Sequence, residues 1–499
     1  MKAFLMFKDQ DFQLQQPLPA NEKALIQDLE LNTLFQAMSL GDPFLLSVAK
    51  QAVLSSLVDP DAIRYRQDIL RDCLKNPAVV REIYQIPIDA MENKRRQWMG
   101  IFSRYPSGIL DNSIQLMELF VETLRKLRTI AETHASSFES EGFTRFFAMI
   151  QAELDDEYFA IVEDHLRELK FKDGVLISAS LGKGNEGTNY VLRKPLEKTS
   201  GWIKSLFTRK EPSHVFYIHE RDEHGARALS DLRDRGINLA ANALAQSADH
   251  IDNFLNMLRV ELAFYIGCLN LHDQLSRMEN PLCFPTPAPA NERRHTSQGL
   301  YDICLALTMK QKIVGNELRA DFKNLVMITG ANQGGKSTFL RSIGLSQLMM
   351  QCGMFVAAEA FHANIAAGIF THYRRKEDAS MKSGKLDEEL GRMSSIVDAL
   401  SPHSLVLFNE SFAATNEREG SEIARQITTA LLDMHIKVFF VTHMYEFAHT
   451  CYEKKQDDAL FLKAERKAGG RRTYKLVLGE PSQTSHGEDV YQVVFGRKE

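Results

Sequence analysis

The residues with the clearest chemistry lie in a Gly-rich stretch, GANQGGKST, that begins at Gly330. Gly330, Gly335, Lys336 and Ser337 fit the spacing G-x-x-x-x-G-K-[ST], in which successive backbone N–H groups form a cradle for phosphate. The lysine places a positive charge beside the outer phosphates, and the serine hydroxyl is a ligand for Mg²⁺. The predicted contacts to a nucleoside triphosphate are Gly330, Ala331, Asn332, Gln333, Gly334, Gly335, Lys336, Ser337 and Thr338.

Two other apolar runs end in polar residues that suit the same chemistry. Residues 404–408, SLVLF, precede Asn409 and Glu410, an arrangement in which the end of a strand faces Mg²⁺ and the attacking water. Residues 437–441, KVFFV, end just before His443, which can contact a terminal phosphate or serve as a structural hydrogen bonder. We predict Glu410, His443 and Lys336 as catalytic residues, and Ser337, Asn409 and Glu410 as the metal site.

The elements around these residues predict a strand, a loop and a helix. Residues 325–328 form an apolar, β-prone run before the Gly-rich stretch, and a helical pattern begins near Lys336. A helix N-terminus directed at a phosphate adds its dipole to the site. The alternative is a Gly-rich turn with a chance lysine, but the flanking strand and helix favour the phosphate loop.

Composition limits the class of protein. The chain has 499 residues, 44% of them hydrophobic and 25% charged, as in ordinary soluble proteins of two to four domains. Its net charge of −5 means that a nucleic-acid site must be a local basic patch. Six scattered cysteines, an early charged residue at the N-terminus and no apolar run long enough for a bilayer predict a cytoplasmic protein with reduced thiols and no membrane contact.

The pattern of apolar residues divides the chain into three parts. Residues 1–40 are a short lead-in, and 41–290 form a helical core or lever domain with a β-rich, clamp-like insertion at about 171–220. One helix is expected to begin after Ser113, and another to run from about 239 to 278 until a Pro-rich break. Residues 291–499 alternate strands and helices, which predicts a mainly parallel sheet. The fold class is therefore multidomain, α together with α/β.

A basic segment lies inside the expected insertion. Residues 181–210 contain seven basic and two acidic side chains with two interleaved aromatics. Such a cluster at the tip of a helical rod could hold a phosphate backbone by counterion release, or it could be a solvated loop. Both interpretations stay open because no base-reading motif accompanies the segment. Its basic residues are Lys183, Arg193, Lys194, Lys198, Lys204, Arg209 and Lys210.

Taken together, GANQGGKSTFLR, QCGMFVAAEA, SLVLFNES, EGSEIA, FFVTHMYEF and TSHGEDVYQVVF resemble the ATPase domain of MutS-type DNA mismatch-repair proteins. The resemblance covers about residues 290–499, and more loosely the order of elements from 40 to 290. It implies an ABC-type P-loop NTPase domain that binds ATP and Mg²⁺. It also implies a homodimer formed through that domain, in which ATP binding and hydrolysis control a DNA clamp in DNA repair or recombination.

The family motifs carry over to individual residues. Asn332 corresponds to the loop asparagine near the phosphates, Glu410 to the residue that orients or deprotonates water, and His443 to the γ-phosphate sensor. Ser383, followed by Gly384, lies where the family completes the ATP site from the partner subunit. Asn409 replaces the family's aspartate, which implies weaker metal binding and slow hydrolysis.

Other departures from the family affect the expected function. Residues 412–414 are Phe-Ala-Ala where the family usually has Gly-Arg-Gly, and the N-terminal mismatch-reading domain has no counterpart here. Specific mismatch recognition is therefore not expected. Three hypotheses remain: a dimeric DNA-binding ATPase of the MutS type, an ATP-bound DNA clamp or regulator with negligible hydrolysis, and a different ABC-type ATPase, for which no LSGGQ signature is present.

Overall fold

The computed structural model describes residues 1–97, 105–172, 174–194, 214–375, 384–454, 457–466 and 472–481. These residues form two compact units. The first unit combines Met1–Ala3, Glu82–Ser136 and Arg145–Arg259. The second combines Phe4–Arg81, Ser137–Thr144 and the chain from Val260 onward. This division does not follow residues 40 and 290, and the three predicted sequence domains stay a prediction.

Helices make up most of the described chain before residue 280. The α-helices are α1 Glu22–Asp28, α2 Leu31–Ser39, α3 Pro43–Leu54, α4 Pro60–Lys75, α5 Pro77–Gln97, α6 Pro106–His134, α7 Glu141–Glu153, α8 Asp156–Leu169, α9 Glu223–Ser276, α10 Ile303–Met309, α11 Lys336–Gln351, α12 Lys385–Ala399, α13 Glu417–Asp433 and α14 Tyr445–Glu453. Short 3₁₀ helices cover Ala135–Ser137, Lys183–Asn185 and Ala290–Glu292.

Capping residues explain where several helices begin. Asp42 and Asp59 precede the prolines that open α3 and α4, and each carboxylate accepts hydrogen bonds from two backbone N–H groups of the first turn. The helix expected after Ser113 begins earlier, at Pro106, because proline suits a first helical position. Ser113 lies inside this helix, where its hydroxyl donates to Ile109 O at 2.8 Å.

The first compact unit contains α6, α8 and a β-hairpin. The expected apolar face of α6 is buried, at Leu116, Phe120, Leu124 and Leu127. Strands β1 Leu176–Leu181 and β2 Gly187–Arg193 pair antiparallel. Residues 214–219, which have a β-type sequence, form no regular secondary structure.

Two sheets lie in the second compact unit. The strands are β3 Thr286–Ala288, β4 His295–Leu300, β5 Asn316–Arg319, β6 Leu325–Thr329, β7 Ala360–Asn364, β8 Ile369–Tyr373, β9 Leu405–Asn409, β10 Lys437–Val441, β11 Ala459–Arg466 and β12 Arg472–Leu478. The larger sheet has the order β12-β11-β6-β10-β9-β8, and the smaller one β3-β7-β4-β5. Helices with mixed sheets agree with the predicted multidomain class.

Register in the larger sheet brings three strand ends together. β6, β10 and β9 are parallel neighbours, with Val441 opposite Ile328 on one side and Asn409 on the other. The carboxyl ends of parallel strands meet at one edge, where ligands bind in open α/β sheets. All five residues of both β6 and β10 are buried, and Phe408 stacks on Phe440 with ring centroids 4.8 Å apart. The carboxyl ends of β6, β10 and β9 are therefore held side by side at one edge of the sheet.

Helix α9 is long and apolar enough, by composition, to cross a membrane, which the sequence did not lead us to expect. However, 78% of its most apolar 18-residue stretch is buried inside the protein. A buried core helix passes the same test. All six cysteines are free, and five of them are buried.

Candidate functional site

The Gly-rich loop lies between β6 and α11 and needs glycine at several positions. Gly330 and Gly335 have φ of 108° and 91°, which favours glycine. A Cβ atom on Gly330 would lie 2.9 Å from Ala464 N, and one on Gly334 would lie 2.7 Å from Ala464 Cβ. Because β11 approaches the loop so closely, side chains at these two positions would force the loop or the strand to move.

Lys336 lies within the curve of this loop. Its Nζ donates to Gly330 O at 2.7 Å and to Ala331 O at 2.9 Å, and the residue is only 4% exposed. Burial lowers the pKa of Lys336 to about 8, while the charge of Glu410 acts in the opposite direction. An anion in the loop would favour the charged ammonium, so the lysine is suited to bind phosphate.

Ser337 and Asn409 meet although 72 residues separate them. Ser337 Oγ donates to Asn409 Oδ1 at 2.9 Å. Asn409 is the last residue of β9, and its backbone is held in register with Val441 and Tyr373 on the two neighbouring strands. The sheet therefore brings a hydroxyl oxygen and an amide oxygen, both possible ligands for a hard cation, to one place.

Glu410 and His443 form a second pair at the same edge. His443 Nε2 lies 2.8 Å from Glu410 Oε1. The hydrogen bond from His443 lowers the pKa of Glu410, against the opposing effect of burial, so the carboxylate is ionised at neutral pH. Glu410 has φ of 53°, and its N–H donates to Val441 O at 2.9 Å. A left-handed conformation at a non-glycine residue costs free energy, and the neighbouring strand maintains it.

His372 and Glu389, which no sequence motif marks, hold the turn of the chain that follows Glu410. Phe412, also left-handed with φ of 63°, donates its N–H to Glu389 Oε2 at 2.9 Å. His372 lies between Ser411 Oγ, 2.8 Å from Nδ1, and Glu389 O, 3.0 Å from Nε2. Burial lowers the pKa of His372 to about 4. A neutral ring donates through Nε2 to Glu389 O, and the Ser411 hydroxyl donates to the backbone carbonyl of His372 while its oxygen lies beside Nδ1.

A cavity of about 400 Å³ opens beside the loop. Thr338 and Gly335 of the loop region line it, together with the apolar or aromatic side chains of Ile313, Val314 and Tyr474. Asn316 Nδ2 donates to Tyr474 O at 3.2 Å and holds β12 beside the cavity. No motif marks Ile313, Val314, Asn316 or Tyr474, because they lie far from the Gly-rich loop in the sequence.

The remaining predicted residues are placed as follows. Asn332 and Gln333 are exposed in the loop, and Gln333 accepts a hydrogen bond from Arg472. Ser383 lies outside the described residues, as do Lys198, Lys204, Arg209 and Lys210 of the basic segment. Among the described residues, no group of three His, Cys, Asp or Glu side chains could hold a metal ion.

Two known protein domains match most of the sequence. Residues 58–278 match the MutS2 N-terminal domain, and residues 326–496 match MutS domain V. The site described above therefore lies in the region that matches domain V, whereas the region that matches the MutS2 domain is mainly helical.

Several relatives share this sequence over different lengths. The DNA mismatch repair protein MutS of Thermotoga maritima is 30% identical over 453 residues, which is 88% of this chain and 54% of the relative. The corresponding protein of Thermus aquaticus is 32% identical over 181 residues, 36% of this chain and 22% of the relative. MutS protein homolog 4 of Mus musculus is 32% identical over 168 residues, 34% of this chain and 17% of the relative. The chain thus spans about half or less of the length of these relatives, and it belongs to the MutS family.

Proposed function

We propose that the chain binds ATP with Mg²⁺ at the carboxyl edge of its larger sheet and hydrolyses it slowly. The observation that carries this proposal is the convergence of the three strand ends. Ser337, just after the phosphate loop, bonds Asn409 at the end of β9 at 2.9 Å, and Glu410, the next residue, lies 2.8 Å from His443 after β10. Each strand end contributes one of the functions that phosphoryl transfer requires.

The loop fits a triphosphate. Its glycines give the loop left-handed turns at Gly330 and Gly335, and Lys336, a residue only 4% exposed, bonds only loop carbonyls among the described residues. Phosphate oxygens would replace those carbonyls as the stronger acceptors, because charge-assisted hydrogen bonds are about twice as strong as neutral ones. The 400 Å³ cavity beside Gly335 and Thr338 is large enough for the base and is lined by apolar groups that suit it.

The metal site fits a cation held mainly by the nucleotide. Ser337 Oγ and Asn409 Oδ1 would hold Mg²⁺, an ion that usually takes one or two protein ligands together with phosphates and water. When bound, Mg²⁺ neutralises charge that builds up on the phosphates. Asn409 supplies an oxygen without a negative charge, so weaker metal binding and slow turnover are expected.

Glu410 is proposed as the group that orients or deprotonates water. Its carboxylate is ionised and already accepts a hydrogen bond from His443. A γ-phosphate that drew His443 away would free Glu410 Oε1 for water. An alternative within the same site is an ATP-binding protein with negligible hydrolysis, which the missing charge at Asn409 favours.

We further propose that nucleotide state controls DNA engagement by a homodimer in a mismatch-repair-type or recombination role. The relatives named DNA mismatch repair protein MutS support this role. The basic segment 181–210 is the candidate contact to phosphate backbone, and Lys183, Arg193 and Lys194 are its described members. In this proposal, the segment with Ser383 from one subunit completes the ATP site of the other subunit.

Binding of MgATP tests the nucleotide site. Lys336→Ala should weaken MgATP binding in equilibrium titrations by about a hundredfold or more, because the variant has no ammonium at the phosphates. Lys126→Ala, an exposed lysine on α6, is the matched control and should bind as the wild type does. Wild-type affinity in the Lys336 variant would overturn the phosphate-loop assignment.

Salt dependence tests the DNA interaction. Neutralising Lys194, Lys204, Arg209 and Lys210 together should weaken binding to duplexes of any sequence. It should also reduce the log–log salt slope by about 0.9 for each phosphate that the variant no longer neutralises. MgATP binding should persist in this variant. If both DNA affinity and salt slope stay unchanged, the segment is a solvated loop.

A further inference from the structure

The carboxyl end of β8 places a further charged residue, Arg374, at the edge of the sheet that holds the proposed ATP site. Arg374 directly follows β8, as Glu410 directly follows β9. The N–H of Arg374 donates to Asn409 O at 2.9 Å. The N–H of Glu410 donates in turn to Val441 O, also at 2.9 Å. Backbone hydrogen bonds therefore fix Arg374 one strand away from the proposed base.

The Arg374 side chain differs from its charged neighbours in having no direct partner. Arg375 Nη1 pairs with Asp28 Oδ1 at 2.8 Å. Arg392 Nη1 donates to Tyr373 O, on the outer edge of β8, at 3.1 Å. Arg374 is exposed, and its guanidinium makes no hydrogen bond or ion pair with any residue that the structure describes. Its donors are therefore free to bind an anionic ligand.

The face of β8 that carries Arg374 also contacts the turn after Glu410. Successive side chains of a strand alternate between its two faces, so Arg374 lies on the same face as His372. The His372 ring lies 2.8 Å from Ser411 Oγ and 3.0 Å from Glu389 O. Because Ser411 directly follows Glu410, the Arg374 side chain lies on the side of the sheet where that turn packs.

Arg374 acts on the proposed base through its charge. The hydrogen bond from His443 is the main cause that lowers the pKa of Glu410, and the charges of Lys336 and Arg374 act in the same direction. In the order of the strands, β9 with Glu410 lies between β6, which leads to Lys336, and β8, which leads to Arg374. The candidate base therefore has a cation on each side.

A γ-phosphate bound beside Glu410 would meet a group of the same charge. The ionised carboxylate and the phosphate are both negative, and like charges at close range repel. Asn409 is neutral, and residues 412–414, Phe-Ala-Ala, supply no positive charge. Lys336 serves the loop side of the site. A guanidinium that reaches the phosphate from the β8 side would reduce the repulsion.

We propose that Arg374 binds the γ-phosphate of ATP from the β8 side and so makes the site prefer ATP over ADP. This inference rests on the ATP site proposed above. The paired N–H donors of a guanidinium match two phosphate oxygens, and both hydrogen bonds are charge-assisted. ADP has no γ-phosphate and cannot make the contact. A positive charge at this position also stabilises the charge that develops during phosphoryl transfer.

Equilibrium titration of the full chain with two magnesium nucleotides tests the contact. The probes are ADP and the imido analogue of ATP, in which a nitrogen between the β- and γ-phosphates prevents turnover. Arg374→Met should weaken binding of the ATP analogue by about tenfold or more, because it removes hydrogen bonds to a charged group, and should leave ADP affinity within about twofold of wild type. Arg374→Lys, which keeps the charge without the fork, should fall between the two.

Controls separate this contact from the rest of the site. Arg167→Met, exposed on α8, should bind both nucleotides as the wild type does. Lys336→Ala should weaken both nucleotides, because its ammonium also serves the β-phosphate. If Arg374→Met keeps the wild-type ratio of the two affinities, the inference is overturned while the ATP site stands. If the wild type binds neither nucleotide, the ATP site itself is wrong.

Discussion

The two ends of strand β10 each have a buried lysine beside them, and only one of these lysines lies at a candidate site. At the amino end, Lys437 is 7% exposed and donates to Asn364 Oδ1 at 2.9 Å and Arg294 O at 3.3 Å. At the carboxyl end, Lys336 donates to two loop carbonyls at similar distances. Burial lowers the pKa of both, to about 7 for Lys437 and about 8 for Lys336.

The surroundings of the two lysines differ. Lys437 begins a regular strand, and its acceptors lie at the end of β7 and just before β4. Lys336 follows a loop that includes the left-handed residues Gly330, Gln333 and Gly335, and it faces the ionised Glu410. A shifted lysine pKa therefore does not identify a functional site by itself. The Ser337–Asn409 and Glu410–His443 contacts, together with the cavity beside Gly335 and Thr338, distinguish the carboxyl end.

The largest expected effect comes from Glu410, whereas Asp321, the carboxylate that acts on Lys437, is already bonded to Arg294, His295 N and Thr296. Glu410→Gln should reduce ATP turnover by about 10²–10⁴-fold, because it removes the proposed base, while MgATP affinity is retained. Single-turnover hydrolysis and equilibrium binding measure the two quantities. Glu446→Gln, exposed on α14, is the matched control. Unchanged turnover in the Glu410 variant would place the base elsewhere.

A change of pH should act on ATP binding through Lys336. Its pKa is about 8 in the free protein, and bound phosphates raise that pKa, so binding takes up a proton above pH 8. MgATP affinity should therefore be full below pH 8 and fall by at most about tenfold per pH unit above it. Lys336→Arg, which stays charged, should give a flatter profile. An equally steep fall in that variant would assign the pH dependence to another group.

A change of pH should act on stability through Lys437. Stability should rise with pH, whereas MgATP affinity falls. The pKa of Lys437 in the folded protein lies below its ordinary value of 10.5, so the unfolded chain holds the proton over a range where the folded protein does not. The free energy of unfolding should thus rise with pH above about 7, by at most about 1.4 kcal/mol per unit. Denaturant titrations between pH 7 and 8, where Lys336 is still mostly protonated, should show a smaller rise for Lys437→Met. MgATP affinity should be unaffected, and a loss of affinity would couple the two ends of the strand.

The smallest expected effect is at Asn409. Asn409→Asp restores a negative charge beside the proposed Mg²⁺ and still accepts from Ser337 Oγ, so turnover should rise by about two- to tenfold. Steady-state hydrolysis at saturating Mg²⁺ measures it, with Asn416→Asp, at the N-cap of α13, as a control. Slower turnover in Asn409→Asp would show that the site has adapted to the amide.

Local sequence predicted the elements of the site well. The strand before Gly330, the helix from Lys336 and the strand ending at Asn409 all lie where apolar runs and glycines placed them. Membership of the MutS family, predicted from the motifs, is confirmed by the family comparisons. The parallel-sheet rule also predicts that these strand ends meet at one edge. The roles of the individual site residues stay predictions.

Long-range contacts could not be predicted in the same way. His372 reaches Ser411 across 39 residues, and Glu389 reaches the Phe412 N–H across 23. Such pairs depend on how β8 and α12 pack on the loop after β9, which no local pattern encodes. At 214–219 the sequence favours a strand that the structure does not contain. A segment with strand propensity forms a strand only when another strand pairs with it.

Side chains bond to carbonyl groups along the outer edge of β8, and these bonds limit aggregation. An edge strand with open carbonyl groups is a template onto which a second chain can add a strand. Asn21 and Arg392 occupy the carbonyls of Ile369 and Tyr373 as a neighbouring strand would, and α1 lies over the same edge. The larger sheet therefore ends at β8 without offering a continuous row of acceptors to another molecule, which limits intermolecular strand pairing at high concentration.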